Sequence, residues 1–152
     1  MKSAFRALLG LLAGMMVAVA VIATIEALGH KIWPLPALPG SAKDPAAMAT
    51  MMAQASLGAL ASVVLAWWLG AAAGAWIGYR FAGLPHARAV GLGVAGVIWL
   101  ATAANLLLMP HPTWMVAAGL AGVPLAGWLV VSWLGSRERR ALASLPQTPP
   151  GQ

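Results

Sequence analysis

Residues 57–79 read LGALASVVLAWWLGAAAGAWIGY, from Leu57 to Tyr79 without one charged side chain. A helix of about 20 apolar residues crosses a hydrocarbon core about 30 Å thick, so this stretch reads as a membrane span. Gly70, Gly74 and Gly78 recur at every fourth position and set two overlapping GxxxG patterns on one stripe. Gly10 and Gly14 repeat the pattern near the N-terminus. Helices in lipid gain little from hydrophobicity when they associate, so small residues that admit a close backbone mark the packing faces. The stripes read first as packing within one chain and second as a homodimer face.

Upstream, Asp44-Pro45 reads as an N-cap followed by proline at the first helical position. A helix running unbroken from there to Tyr79 would be about 50 Å long, more than a bilayer needs. The expectation is a short interfacial helix from Pro45 to about Ala55, then the span, with Gly58 as the bend; one tilted helix is the alternative. Before it, Trp33-Pro34-Leu35-Pro36-Ala37-Leu38-Pro39-Gly40 holds three prolines that fix φ and remove donors, giving a stiff loop without helix.

Three further apolar runs complete the pattern. The first span covers about residues 5–28, within an apolar run from Ala4 to Leu28 behind Lys2 and Arg6. A signal peptide is the competing reading, but its apolar region would be only about 7–15 residues long. After the turn Arg80–Arg88 the third span covers about 89–109. Pro110-His111-Pro112 then turns the chain, its second proline suited to the first position of a helix, and the fourth span covers about 113–134. Gly91, Gly93 and Gly96 in the third span and Gly119, Gly122 and Gly127 in the fourth extend the close-contact surfaces to every helix. The fold class is therefore an all-α membrane protein: an antiparallel four-helix transmembrane bundle at residues 1–140, with a disordered tail at 141–152.

Composition agrees. The 152 residues are 61% hydrophobic and 8% charged, against about 25% charged in soluble domains. The net charge of +6 is split among the N-terminus, one turn and the C-terminus, which leaves no basic face for a nucleic acid to follow. The chain has no cysteine, which excludes disulfides and thiolate metal sites. Lys2, Arg6, Arg80, Arg88, Arg137, Arg139 and Arg140 fall on one side of the bundle and Lys31 and Lys43 on the other. By the positive-inside rule both termini are cytoplasmic. Trp33 and Trp114 fit the outer interface, Trp76 and Trp133 the inner one, and Trp67, Trp68, Trp99 and Trp128 lie deeper and need packing partners.

Glu26 reads as the single acid near the hydrocarbon region, about one turn inside the outer end of the first span, with His30 at i+4 on the same face. Asn105 falls at a similar depth with Thr102 beside it, and Asp44 and His111 lie on the same side of the membrane. Glu26, His30 and His111 are ligand types that zinc or copper accepts, so a divalent metal is one reading, although no HExxH-like spacing supports it. A ligand-binding pocket at Glu26, His30, Asn105 and His111 is another. The structural reading pairs Glu26 with Asn105 by a hydrogen bond or with Lys31. Nucleophile elbows, phosphate loops and a second intramembrane acid are absent, as are two histidines facing each other at mid-depth for haem. An enzyme is not expected.

At Ile25-Glu26-Ala27-Leu28-Gly29-His30, the proline loop, Asp44-Pro45 and Met109-Pro110-His111-Pro112-Thr113-Trp114, the chain resembles a group of uncharacterised bacterial small membrane proteins with an E-x-x-G-H helix end and an HPxW turn. The resemblance implies a multi-pass protein of the bacterial inner membrane and brings no activity. Two functional readings follow. One is a non-enzymatic accessory or scaffold that packs its glycine stripes against itself or a larger membrane complex. The other is a small binding or transport protein with an outward-facing site at Glu26, His30 and His111.

Overall fold

The computed structural model describes residues 2–37, 40, 41 and 44–144. Five helices follow one another: α1 (Lys2–Ile32), α2 (Pro45–Gln54), α3 (Leu57–Ala82), α4 (Ala87–Leu108) and α5 (Thr113–Ala143). All but α2 are long and apolar enough to cross a membrane. There is no strand among the described residues.

Local chemistry explains the boundaries. Asp44 caps α2 by accepting the Ala46 N–H at 2.9 Å, with Pro45 in the first turn. The chain then breaks at Ala55 and Ser56, both extended, and the Ser56 hydroxyl caps α3 by accepting the Ala59 N–H at 3.2 Å. The expected bend at Gly58 is corrected: a serine cap competes with helix continuation, whereas Gly58 lies inside α3 against the Trp33 indole. Gly83 ends α3 at φ 65, a conformation that glycine takes without strain.

Two helices run further than expected. α1 continues to Ile32, beyond residue 28, which puts His30 on the helix one turn after Glu26. α5 continues nine residues beyond Leu134 to Ala143, so residues 141–143 are helical rather than part of a tail. The remainder of that tail, residues 145–152, lies outside the described residues. Pro112 sits at the N-cap of α5 with Thr113 first in the helix, one position later than its spacing indicated.

α3 is the hub and touches α1, α4 and α5, whereas α1 and α5 do not meet. The stripes interlock. A Cβ at Gly10 would lie 2.7 Å from the Ala82 backbone nitrogen, and one at Gly14 would lie 2.7 Å from the Gly74 carbonyl oxygen. Gly70 accommodates Ile22, and Gly74 accommodates Ala18. Both GxxxG stripes are thus filled within the chain. In α4, Gly91 faces Val131 and the Ala75 carbonyl, but Gly93 and Gly96 have nothing within 4 Å of a Cβ position. These two therefore do not form the contact surface that composition alone had assigned them, because they fall on the other side of α4. Pairing runs antiparallel from α1 to α3, α3 to α4 and α4 to α5, so α3 and α5 lie parallel. The start of α1 and the finish of α5 share one end, here the near end.

Two core clusters fill the bundle. Trp67, Ile98, Met115 and Val123 centre the one toward the far end, and Tyr79, Ala95, Val131 and Leu134 the one toward the near end. Of the deep tryptophans, Trp67 is buried, Trp68 donates to the Ala118 carbonyl and Trp99 to the Leu120 carbonyl, both at 3.0 Å, while Trp128 is exposed on the outer surface.

Candidate ligand-binding site

The site is built from helix periodicity. Ile22 and Glu26 are one turn apart on α1, and Ile98, Ala101, Thr102 and Asn105 occupy one face of α4. Packing both helices on α3 leaves an open pocket of about 230 Å³ between these faces, with Trp67 in its lining. Glu26 is about 9 Å, and Asn105 about 4.5 Å, from the last residue of its helix at 1.5 Å per residue, so the cavity sits within two turns of the far end.

Glu26, Thr102 and Asn105 converge on this cavity. None of them makes a hydrogen bond or ion pair with another described residue. The expected Glu26–Asn105 hydrogen bond and Glu26–Lys31 pair are therefore absent among the described residues: the cavity separates the first pair, and Lys31 is exposed beyond the next turn. Glu26 is half-buried. Its nearest charge partner is His30, which lies within electrostatic reach on the same helix face.

The histidines stand outside the cavity. His30 is exposed. His111 is held in the turn between α4 and α5, its Nδ1 2.8 Å from the Met109 carbonyl oxygen and its ring edge-on to Trp67 with centroids 6.3 Å apart. Trp67 thus touches His111 and also lines the pocket, whereas His111 is not part of its lining. No group of three histidine, aspartate or glutamate side chains is placed to hold a metal ion among the described residues. The metal reading of Glu26, His30 and His111 is corrected accordingly: Glu26 and His30 share a face of α1, but His111 is held in the α4–α5 turn against the Met109 carbonyl and Trp67. Asp44 is occupied in capping α2.

The sequence reading missed Trp67 as a wall of the site, because an apolar residue in a span reads as core. It also missed Glu138. This acid lies in the extended last turns of α5 and accepts the Tyr79 hydroxyl hydrogen at 2.6 Å, so Glu26 is not the only acid against the bundle. Tyr79, the one tyrosine in the chain, near the end of a span was the available signal.

A carboxylate, a hydroxyl and a carboxamide around an indole form a set that accepts hydrogen bonds and cationic charge. Fold and pocket together define a multi-pass helical membrane protein with an open, largely apolar pocket between α1, α3 and α4 that carries three polar side chains. No family model matches the chain, and no curated protein or solved structure matches it.

Proposed function

We propose that this chain is a non-enzymatic binding protein of a bacterial inner membrane, with both termini cytoplasmic, and that it takes a small organic ammonium ion at Glu26, Thr102 and Asn105. The observation that carries this reading is the convergence of three polar side chains on one cavity without a hydrogen bond among them. An intramembrane carboxylate is costly and persists where it has work to do. Here the packing does not use it. The volume of about 230 Å³ suits a ligand of a few heavy atoms, and Trp67 in the lining offers an aromatic ring of the kind that attracts cations. One acid in the cavity supports binding over acid–base catalysis.

The scaffold reading rested on the glycine stripes, and these are filled by α1 against α3. The inner-membrane address rests on the motif resemblance, and the orientation on the seven-to-two split of basic residues. Because the chain lacks cysteine, Ser41→Cys and Ser144→Cys give single labelling sites. An impermeant maleimide on intact cells should label the first and spare the second; the reverse result overturns the orientation.

For binding, the purified chain is titrated with methylammonium, ethanolammonium and tetramethylammonium while thermal unfolding is followed. At least one should raise the midpoint in the parent and fail to do so in Glu26→Gln and Asn105→Ala. A shift that survives both variants, or no shift with any of the three, overturns the proposal.

A further inference from the structure

The near end of the bundle carries a second site of different chemistry. Trp76-Ile77-Gly78-Tyr79-Arg80 near the end of α3 and Trp133-Leu134-Gly135-Ser136-Arg137 in α5 share one spacing, W-x-G-x-R. The two helices run parallel, and the Tyr79 hydroxyl reaches Glu138 and lies beside Gly135. That contact puts the two segments level. Both tryptophans and both arginines consequently line a single groove of about 470 Å³, together with Glu138. An i to i+4 step advances about 6 Å along a helix, so the indoles sit one turn deeper in the bundle than the guanidiniums.

We infer that this groove binds a phospholipid headgroup: a phosphodiester on Arg80 and Arg137, and a hydrogen-bond-donating substituent of the headgroup on Glu138. Neither arginine makes an ion pair or hydrogen bond with a described residue, and Arg137 is stacked over Trp133 at 4.8 Å from the ring centre. Two such guanidiniums match the bidentate geometry of a phosphate. Glu138 has one oxygen engaged by Tyr79 and makes no other hydrogen bond among the described residues, so a second oxygen is left for a donor. Trp76 and Trp133 are 45% and 53% exposed, flat amphipathic walls at the level where glycerol meets acyl chain. A ligand that meets arginines and, one turn deeper, bare indoles has a charged head and an apolar body. That description fits a lipid better than free phosphate.

The test is native mass spectrometry of the full chain released from mixed micelles containing equal phosphatidylethanolamine and phosphatidylcholine. These lipids share the phosphodiester and the net charge and differ in N–H donors. The ethanolamine lipid should be retained about tenfold over the choline lipid, the worth of one charge-assisted hydrogen bond. Arg80→Gln with Arg137→Gln should reduce retention of both lipids, and Glu138→Ala should erase the preference between them. Tyr79→Phe, which leaves the carboxylate in place, should keep that preference and so separates it from loss of the Tyr79 contact. Equal retention of the two lipids by the parent, or undiminished retention by the double arginine variant, overturns the proposal. Displacement by millimolar glycerophosphoethanolamine, the same headgroup without acyl chains, would make the ligand a soluble phosphodiester and overturn the lipid assignment; resistance to it supports the lipid.

Discussion

Trp99 on α4 donates its indole N–H to the backbone carbonyl of Leu120 on α5 at 3.0 Å. Leu120 is four residues before Pro124, which lies inside α5 and has no N–H to close that turn. In lipid an unpaired carbonyl finds no water. The neighbouring helix therefore supplies the donor that proline removed.

Trp99→Phe keeps the ring and loses the donor, and it should destabilise the bundle by about 1–3 kcal/mol, the range for an orphaned buried acceptor. In a Pro124→Ala background the helix makes its own bond to Leu120, and the same substitution should cost less than about 1 kcal/mol. The double-mutant cycle is read by denaturant titration in detergent, and additive effects would disprove the coupling.

Glycines that look alike in sequence should behave oppositely. Gly14→Ala drives a methyl to within 2.7 Å of the Gly74 carbonyl oxygen and 2.8 Å of Val94, contacts between packed helices that cannot both yield. A loss of about 1–3 kcal/mol is expected, as for other overpacked cores. Gly93→Ala and Gly96→Ala meet nothing within 4 Å and gain helix propensity, so each should leave stability unchanged or raise it by up to about 1 kcal/mol.

That contrast shows what was legible in the sequence. Span number, the Asp44 cap and the face shared by Glu26 and His30 follow from period and local chemistry, which a single segment contains. Which glycines pack depends on helix rotation, and only the partner helix fixes that. The metal reading of Glu26, His30 and His111 failed for a related reason: being at one end of a bundle does not bring side chains onto one another. Thr102 and Asn105 were recognisable because they are one turn apart on one helix. Glu138 was hidden among the arginines that mark the end of a span, where an acid reads as one more surface charge. Its partner Tyr79 is 59 positions earlier in the chain.

Tyr79→Phe removes the 2.6 Å bond to Glu138, which joins α3 to α5 at the near end beside Arg88 and Arg139. The contact is half-buried, so the cost should be about 1–2 kcal/mol. The loss should localise. Amide exchange would rise in the last turns of α5, after Leu134, and not near Trp67; an even rise along the helix would show that the bond is not the local tie it is taken to be.

Glu26→Gln separates a structural from a functional carboxylate. If packing depended on the charge, neutralising it would leave a partner unsatisfied and cost 1 kcal/mol or more, about the worth of a lost hydrogen bond. No described residue hydrogen-bonds to Glu26 or forms a salt bridge with it, His30 acts on it only through space, and the side chain lines a pocket. An amide of nearly the same shape has less desolvation to bear in that setting. The substitution should therefore leave the unliganded bundle equally or more stable while it abolishes stabilisation by small ammonium ions, the trade expected where stability is given up for binding. Unfolding curves of the parent and variant, with and without methylammonium, read both effects in one experiment. A variant that is destabilised without ligand would return Glu26 to a structural role and remove the main support for a binding site at the far end.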